Sequence, residues 1–425
     1  MSPVSPLSRR NLLKLSGAFA VDCAVSRPSA ASSSSPASSA TSPAGRLFAY
    51  VGCYTATTGE GGQGNGKGIY LVEVNETTGE LMHPRVAAQT INPSWLALDP
   101  AGRYLYAGNE VANFAGHSGS VSSFAIERKT GALRPINVVS SEGASVAHLS
   151  VDATGKFVFV ANYGGGSMSV LPVRPDGGLG QAVEVRHDVG SVGAKTATDA
   201  PPGSYAISGH DAPHPHMVQP APGNRFVLQS DLGQDRIYVY AFDAATGKLT
   251  PAPGGAFASF PSGDGPRHFA FHPQGRWLYS LQEEASTVVA LQFDPQTGAL
   301  HPRQTLSSLP PGFQGTNFGS EILLTHDGRF VYAANRLHDT VACFSVLPDG
   351  RLKYLGEIHT EGDYPRSMNI DPGGSRLYVC NQRSDAIACF KIDRGTGRLS
   401  FTGRFTGVGT PACIVFLRGS GNATT

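Results

Sequence analysis

The stretch GPRHFAFHPQGRWLYSLQEE, residues 265–284, decides the fold. Apolar and aromatic residues flank a Pro/Gly turn at 273–275, and this pattern predicts two strands joined by a tight turn. Four polar residues lie at the open end of that hairpin: Arg267, His268, Glu283 and Glu284. A hairpin brings its two open ends together, so we expect these four side chains to share one end of a sheet.

The turn of this hairpin recurs along the chain. Its six copies are DPAGRYLY (99–106), DATGKFVF (152–159), APGNRFVL (221–228), HPQGRWLY (272–279), THDGRFVY (325–332) and DPGGSRLY (371–378). A second turn, of the type TGxL or DGxL, has seven copies, with glycines at 79, 131, 177, 247, 298, 350 and 397. A repeat of about fifty residues with two β-turns predicts four strands per unit. Seven such units predict an all-β, seven-bladed β-propeller.

The two ends of the chain account for the missing seventh copy of the first turn. The segment 410–417, TPACIVFL, resembles the first strand of a unit, and the segments 46–54 and 68–76 resemble a second and a third strand. We therefore predict one blade closed by N- and C-terminal strands, which removes free sheet edges. The propeller is expected to span 46–418, with 419–425 as a flexible tail.

Residues 1–45 are predicted to be a signal and linker. The segment 8–14, SRRNLLK, resembles a twin-arginine export signal, and the apolar run after it is too short to span a bilayer. Residues 28–43 contain only Ser, Ala, Pro and Thr, which is typical of a flexible linker. We expect the twin-arginine export machinery as a partner, no stable membrane insertion, and a periplasmic or extracellular location in a bacterium.

The overall charge gives no reason to expect nucleic acid as a partner. The chain has 33 basic and 32 acidic residues, a net charge of +1.

The segment 210–217, HDAPHPHM, is a candidate metal site. It holds three histidines, and His214 and His216 would share one side of a strand. No third ligand is obvious for a metal, so we predict neither a metal nor another cofactor.

Alignment of the units on the turn glycine gathers charges at the opposite end of the blades. Five of them come from blades three to six: His216, Arg267, Glu283, Arg336 and Arg366. A purely structural repeat would keep one small residue at each equivalent position, so these charges indicate a site at the channel mouth. Two structural explanations stay open. Arg267 and Glu283 could form a simple ion pair, and the asparagines that end most second strands, Asn335 among them, could cap those strands. An insertion at 189–211 is expected on the same face, as a lid or specificity loop.

The chain resembles a known family in several segments. They are NPSWLALDPAGRYLYAGNE, APHPHMVQPAPGNRFVLQSDLGQDRIYVY, GPRHFAFHPQGRWLYSLQE and GSEILLTHDGRFVYAANR. They look like the seven-bladed lactonases, which include propeller-type 6-phosphogluconolactonases and the fungal carboxy-cis,cis-muconate lactonizing enzyme. One departure is Gln282, where the family usually has Asn.

The resemblance implies hydrolysis of a sugar-type lactone, with or without a phosphate or carboxylate group. The catalytic set carried over is His216 (or His214), Arg267 and Glu283, and the predicted substrate contacts are His148, His214, Asn335, Arg336 and Arg366. Glu283 or His216 would activate water, and Arg267 would stabilise the oxyanion. Two alternatives remain: a muconate-type cycloisomerase and a non-catalytic ligand-binding propeller.

Overall fold

Seven antiparallel sheets are arranged as the blades of a propeller in the computed structural model, which describes residues 45–56, 64–207 and 209–420. We number the blades in chain order and give the strands by their position within them. The innermost strands are β4 (Pro93–Leu98), β8 (Val146–Val151), β13 (Pro215–Pro220), β18 (Pro266–Phe271), β23 (Gly319–Leu324), β27 (Pro365–Ile370) and β31 (Pro411–Arg418). The second strands are β5 (Tyr104–Phe114), β9 (Phe157–Asn162), β14 (Phe226–Asp231), β19 (Trp277–Gln282), β24 (Phe330–Asn335), β28 (Arg376–Asn381) and β1 (Leu47–Cys53).

The third and outer strands complete each blade. The third strands are β6 (Ser118–Ile126), β10 (Ser167–Pro172), β15 (Arg236–Phe242), β20 (Thr287–Phe293), β25 (Thr340–Val346), β29 (Ala386–Ile392) and β2 (Ile69–Val74). The outer strands are β7 (Leu133–Ser140), β11 (Glu184–His187), β16 (Leu249–Pro251) with β17 (Phe257–Ser259), β21 (Leu300–Ser307), β26 (Leu352–His359), β30 (Leu399–Gly407) and β3 (Leu81–Ala88). One 3-10 turn, Gln382–Ser384, follows β28.

The innermost strands contact one another in a closed ring, in the order β4, β8, β13, β18, β23, β27, β31 and back to β4. The predicted seven-bladed propeller is therefore confirmed. Blade 7 has the order β3-β2-β1-β31, and Leu47 of β1 pairs with Arg418 of β31. The predicted closure of one blade by both ends of the propeller is also confirmed.

One hydrogen bond between neighbouring blades recurs around the ring. A buried tyrosine of a second strand donates its hydroxyl to the carbonyl of the turn glycine in the next blade, at 2.8–3.2 Å. The pairs are Tyr50–Gly131, Tyr106–Gly177, Tyr279–Gly350, Tyr332–Gly397 and Tyr378–Gly79. The seven turn glycines have φ between 71° and 83°, a conformation that favours glycine. The second turn thus serves both the hairpin and the contact between blades.

The first and second turns lie on one face of the disc, which we call the turn face. The insertion expected at 189–211 lies between β11 and β13, at the opposite face. It contains β12 (Ser204–Tyr205), which pairs in parallel with β22 (Gly315–Thr316). Because β22 lies in the connection between blades 4 and 5, the insertion reaches across blade 3 to that connection.

The predicted signal and linker lie outside the described residues, apart from Gly45, and so do residues 421–425 of the predicted tail. Within the tail, the amides of Gly419 and Ser420 donate to the carbonyls of Arg46 and Arg128. Over the described ranges, no helix has the length and apolar character needed to cross a membrane.

Candidate active site

A bulge at the start of every inner strand supplies the side chains at the channel mouth. In each blade the pairing register shifts near the first residue of the inner strand, so that an extra residue faces the second strand. The extra residues are Ser94, Ala147, His216, Arg267, Ser320, Arg366 and Ala412. Bulges re-aim side chains, and proline, which precedes five of these residues, is tolerated at them. Three of the residues that the sequence alignment gathered at the channel mouth, His216, Arg267 and Arg366, are therefore the extra residues of these bulges.

Glu283 lies between two guanidinium groups at this mouth. Its Oε2 is 2.8 Å from Nε of Arg267 and 2.6 Å from Nη2 of Arg336. All three residues are buried. Burial alone would raise the pKa of Glu283, but the charges of Arg336 and Arg267 outweigh it and hold that pKa below its usual value. Glu283 is thus a fixed anion that holds two arginines in place.

Arg267 keeps one donor nitrogen for a ligand. Its Nη1 donates to the carbonyl of Ser320 and its Nε faces Glu283. No hydrogen bond within the described residues uses Nη2. Burial, and then the charges of Arg336 and Arg366, lower the pKa of Arg267 to about 9. The group is still protonated at neutral pH, and an added anion would stabilise it.

Arg366 approaches the mouth from blade 6. Its Nη2 donates to Oη of Tyr54 at 2.8 Å, and Tyr54 in turn donates to Oε2 of Glu110 at 2.8 Å. Burial alone would lower the pKa of Arg366, but Tyr54 and Glu110 reverse this and raise it. The three arginines thus pair directly with two carboxylates, Glu283 and Glu110, and Glu321 acts on Arg267 without a direct ion pair. Their remaining donors favour an anionic ligand.

His216 lies beside these arginines as a neutral imidazole. It is 5 % exposed, and burial, followed by the charge of Arg267, holds its pKa well below the usual range. Its Nδ1 is 3.2 Å from Nε2 of His268, whose Nδ1 is 2.9 Å from Oε1 of Glu321. Among the described residues no hydrogen bond engages Nε2 of His216. That nitrogen is free to act on a ligand.

A small cavity of about 10 Å³ lies between these groups. Its lining includes Tyr54, Glu110, His216, Arg267, His268 and Arg366. This volume is about that of one water molecule. The structure thus brings together four of the predicted residues, His216, Arg267, Glu283 and Arg366, with Arg336 held through Glu283.

Three predicted substrate contacts have other neighbours. His214 stacks on Tyr163, and its two ring nitrogens lie 2.9 Å from the Tyr163 carbonyl and 3.0 Å from Oδ1 of Asp211. Asn335 has all four hydrogen-bonding positions used, by Ser308 and Asn317 of the connection between blades 4 and 5 and by Thr340 of β25. This is the structural role left open for the asparagines that end most second strands.

His148 packs on Trp95, with ring centroids 4.5 Å apart, below the small cavity. It lines a separate cavity of about 620 Å³ in the channel, which reaches the turn face. His148, His214 and Asn335 do not line the small cavity at the arginine cluster.

Four further residues belong to this site and were not among the predicted ones: His268, Glu321, Tyr54 and Tyr364. Tyr364 has φ of 64°, which is strained for a bulky residue, and its hydroxyl is 3.4 Å from Nη1 of Arg336. The charge of Arg336 lowers the pKa of Tyr364 despite burial. Within the described part of the chain, no group of three or more His, Cys, Asp or Glu side chains is placed to hold a metal ion.

Comparison with known proteins places this geometry in a family. The model of the family described as "Lactonase, 7-bladed beta-propeller" matches residues 48–416. This chain belongs to that lactonase family.

Several lactonase relatives match over most of their length. The 6-phosphogluconolactonase of Bacillus subtilis is 34% identical over 373 residues, which cover 88% of this chain and 99% of the relative. A crystal structure of a putative 6-phosphogluconolactonase from Bacteroides fragilis has a TM-score of 0.76 and 31% identity, and covers 90% of this chain and 100% of the other. The periplasmic gluconolactonase of Pseudomonas aeruginosa has a TM-score of 0.77 and 30% identity, over 88% and 100% of the two chains.

Proposed function

We propose that this protein is an exported lactonase that hydrolyses an anionic sugar-type lactone, such as a phosphorylated gluconolactone, at the channel mouth. The observation that carries the proposal is a cluster of three arginines, Arg267 and Arg336 buried and Arg366 half-buried, beside a neutral histidine. The names of the relatives, 6-phosphogluconolactonase and gluconolactonase, agree with this substrate class.

The chemistry divides among three groups. Water attacks the lactone carbonyl carbon while Nε2 of His216 takes its proton, because this nitrogen is neutral and unbonded. Glu283 is a poor base, since two guanidinium groups already hold its charge. Nη2 of Arg267 donates to the oxyanion that forms on the carbonyl oxygen. The tetrahedral intermediate then expels the ring oxygen, which receives the proton back from His216.

The anionic group of the substrate is assigned to Arg366. Its side chain is 17% exposed, and only Nη2 is used, by Tyr54, among the described residues. The guanidinium of Arg336 already forms an ion pair with Glu283 and donates to the Gly319 carbonyl and the Tyr364 hydroxyl. Arg366 thus has donors for a phosphate or carboxylate, whereas Arg336 serves the site by fixing Glu283.

Export is proposed from residues 1–45. The SRRNLLK segment and the Ser/Ala/Pro/Thr linker support it, and a solved relative is a periplasmic gluconolactonase. Fractionation of bacteria that express the full chain checks the compartment.

A panel of lactones tests the activity. Acid release would be measured with glucono-1,5-lactone and its 6-phosphate, for the wild type and for Arg267→Ala. Loss of one oxyanion donor costs roughly 10²–10³ in rate, so we expect a fall of that order in kcat for Arg267→Ala. Arg303→Ala is the matched control, because Arg303 is exposed and its side chain donates, among the described residues, to Gln292 alone.

Unchanged kcat/KM in Arg267→Ala would remove Arg267 from the mechanism. Binding of the lactones without any acid release by the wild type would favour the ligand-binding propeller instead.

A further inference from the structure

Three titratable side chains form a hydrogen-bonded chain at the centre of the propeller, and the proposed hydrolysis gives a role to only one of them, His216. Glu321 of blade 5, His268 of blade 4 and His216 of blade 3 are joined by contacts of 2.9 Å and 3.2 Å. The rings of His216 and His268 meet edge to face, with centroids 5.0 Å apart. We propose that Glu321 is the acceptor of the water proton, which reaches it through His216 and His268, and that its protonation decides whether His216 acts as a base or as an acid. This proposal rests on the proposed function.

The hydrogen bonds fix the tautomers when Glu321 is ionised. A carboxylate only accepts, so Nδ1 of His268 carries a proton and its Nε2 accepts. Nδ1 of His216 must then donate to that Nε2. Nε2 of His216 is left without a proton, and it can take one from water.

Protonated Glu321 reverses each bond in turn. Its hydroxyl donates to Nδ1 of His268, Nε2 of His268 donates to Nδ1 of His216, and Nε2 of His216 carries a proton. In the forward step water loses one proton to Nε2 of His216, and Glu321 gains one at the far end. When the ring oxygen leaves, Nε2 returns its proton and all three groups return to their first state, so no proton is lost or gained.

The surroundings explain why the proton should not stay on His216. An imidazolium there would face Arg267, Arg336 and Arg366 in a buried site, and these charges with burial hold its pKa well below the usual range. Burial, followed by the charges of the same arginines, also holds the pKa of His268 well below its usual value, although Glu283 acts in the opposite direction. The relay lets both rings remain neutral throughout.

Glu321 is suited to the role of acceptor. Burial raises its pKa to about 7, although Arg267, His148, the amide of Ile322 and the hydroxyl of Ser367 act in the other direction. Its Oε1 accepts from the Ile322 amide and its Oε2 from Ser367, which hold the carboxylate in place. A proton acceptor works best when its pKa lies near the operating pH.

Glu321 also borders solvent on the other side. It lines the cavity of about 620 Å³ whose rim includes the exposed residues Pro273 and His326 of the turn face. The carboxyl group can therefore equilibrate with solvent at the turn face while substrate occupies the opposite mouth. Glu321 and His268 act on the substrate only through His216, so they are positioning residues.

Histidine NMR tests the relay without reference to catalysis. The wild-type protein would be labelled with ¹⁵N-histidine, and His216 and His268 would be assigned with His216→Gln and His268→Gln. Between pH 5 and 9 we expect His216 to change from the Nε2–H to the Nδ1–H tautomer as pH rises through about 7, with no imidazolium form. A fixed tautomer, or an imidazolium, overturns the proposal.

Kinetics of Glu321→Gln supply the second arm. Glutamine keeps an acceptor for His268 but cannot take a proton, so kcat should fall at least about 10-fold while KM changes less than about 2-fold. The wild-type kcat/KM should rise with pH through about 7, and the variant should lose this limb. Glu357→Gln is the matched control, because Glu357 pairs with His338 at 3.0 Å in the same blade but away from the mouth.

The two proposals fail differently. A tautomer change without turnover of any lactone would leave the relay standing and remove the proposed function. Lactone turnover with a fixed tautomer, or with unaltered kcat and pH profile in Glu321→Gln, would remove the relay alone.

Discussion

At the scale of single residues, the repeat made the site visible in the sequence and also limited what could be found. His216, Arg267 and Arg366 stand out because equivalent bulge positions in other blades hold Ser or Ala. His268 and Glu321 are one position further along, where packing residues such as Trp95 also occur, and their pairing joins residues 53 apart. Only the folded ring shows that they meet.

Tyr54 and Tyr364 could not be predicted as site residues from the sequence, for other reasons. Tyr54 follows the second strand of blade 7, the blade that lacks a first turn on which to align it. Tyr364 lies before an inner strand with a positive φ, and its backbone amide donates a hydrogen bond to Oδ1 of Asp339. The same positive φ and amide-to-aspartate hydrogen bond recur at Gly265 with Asp235 and at Thr410 with Asp385, but the residue type at this position differs from blade to blade.

The role of Arg366 leads to a prediction about substrate choice. Arg366→Gln should raise KM for the 6-phosphate of glucono-1,5-lactone by about 10–100-fold, because hydrogen bonds to a charged group contribute about 1.5–3 kcal/mol. The unphosphorylated lactone should change much less. Steady-state kinetics on both substrates checks this, and equal effects on the two would contradict the assignment.

At the scale of elements, a tyrosine of the second strand couples five of the seven blades to the next blade. The sequence shows this tyrosine as a repeated letter but does not show its partner, which lies 65 to 81 residues further along the chain for four of the five pairs. Blades 2 and 3 hold Phe159 and Leu228 at the equivalent position, so the ring tolerates the loss of single bonds. Strand number and order were predictable because the second turn marks every blade and the first turn marks six of the seven. The insertion was also predictable, but its pairing with β22 was not.

Removal of one such hydroxyl should weaken the fold measurably. Tyr279→Phe leaves the buried Gly350 carbonyl without its partner, which costs about 1–3 kcal/mol. We expect a lower urea midpoint by circular dichroism. Tyr104→Phe is the control, since no hydrogen bond within the described residues uses its hydroxyl; an equal loss there would show that the inter-blade bond is not the cause.

At the scale of the whole molecule, stability depends on closing the ring. Strand β31 is both the innermost strand of blade 7 and the neighbour of β27 and β4. Without it, β1 would present an unpaired edge and two blades would lose an inner neighbour. The sequence predicted this closure because the segment 410–417 repeats the first strand of a unit with no hairpin after it.

Deletion of residues 411–420 should therefore prevent folding, whereas a circular permutant should fold. The permutant would join Ser420 to Gly45 and open the chain between Pro222 and Gly223, in the first turn of blade 3, so that blade 3 becomes the blade closed by both ends. We expect insoluble protein from the deletion, and native circular dichroism and lactone turnover from the permutant. A soluble, folded deletion variant would contradict the requirement for closure.

The seam of blade 7 also determines on which face of the propeller residues 45 and 420 lie. Leu47 and Arg418 pair at the turn-face end of their strands, and the Gly419 amide bonds the Arg46 carbonyl at 2.8 Å. Residues 45 and 420 are thus side by side on the face away from the arginine cluster. A solid support joined at residue 45 or residue 420 would therefore attach to the turn face and leave the arginine-lined mouth directed outward.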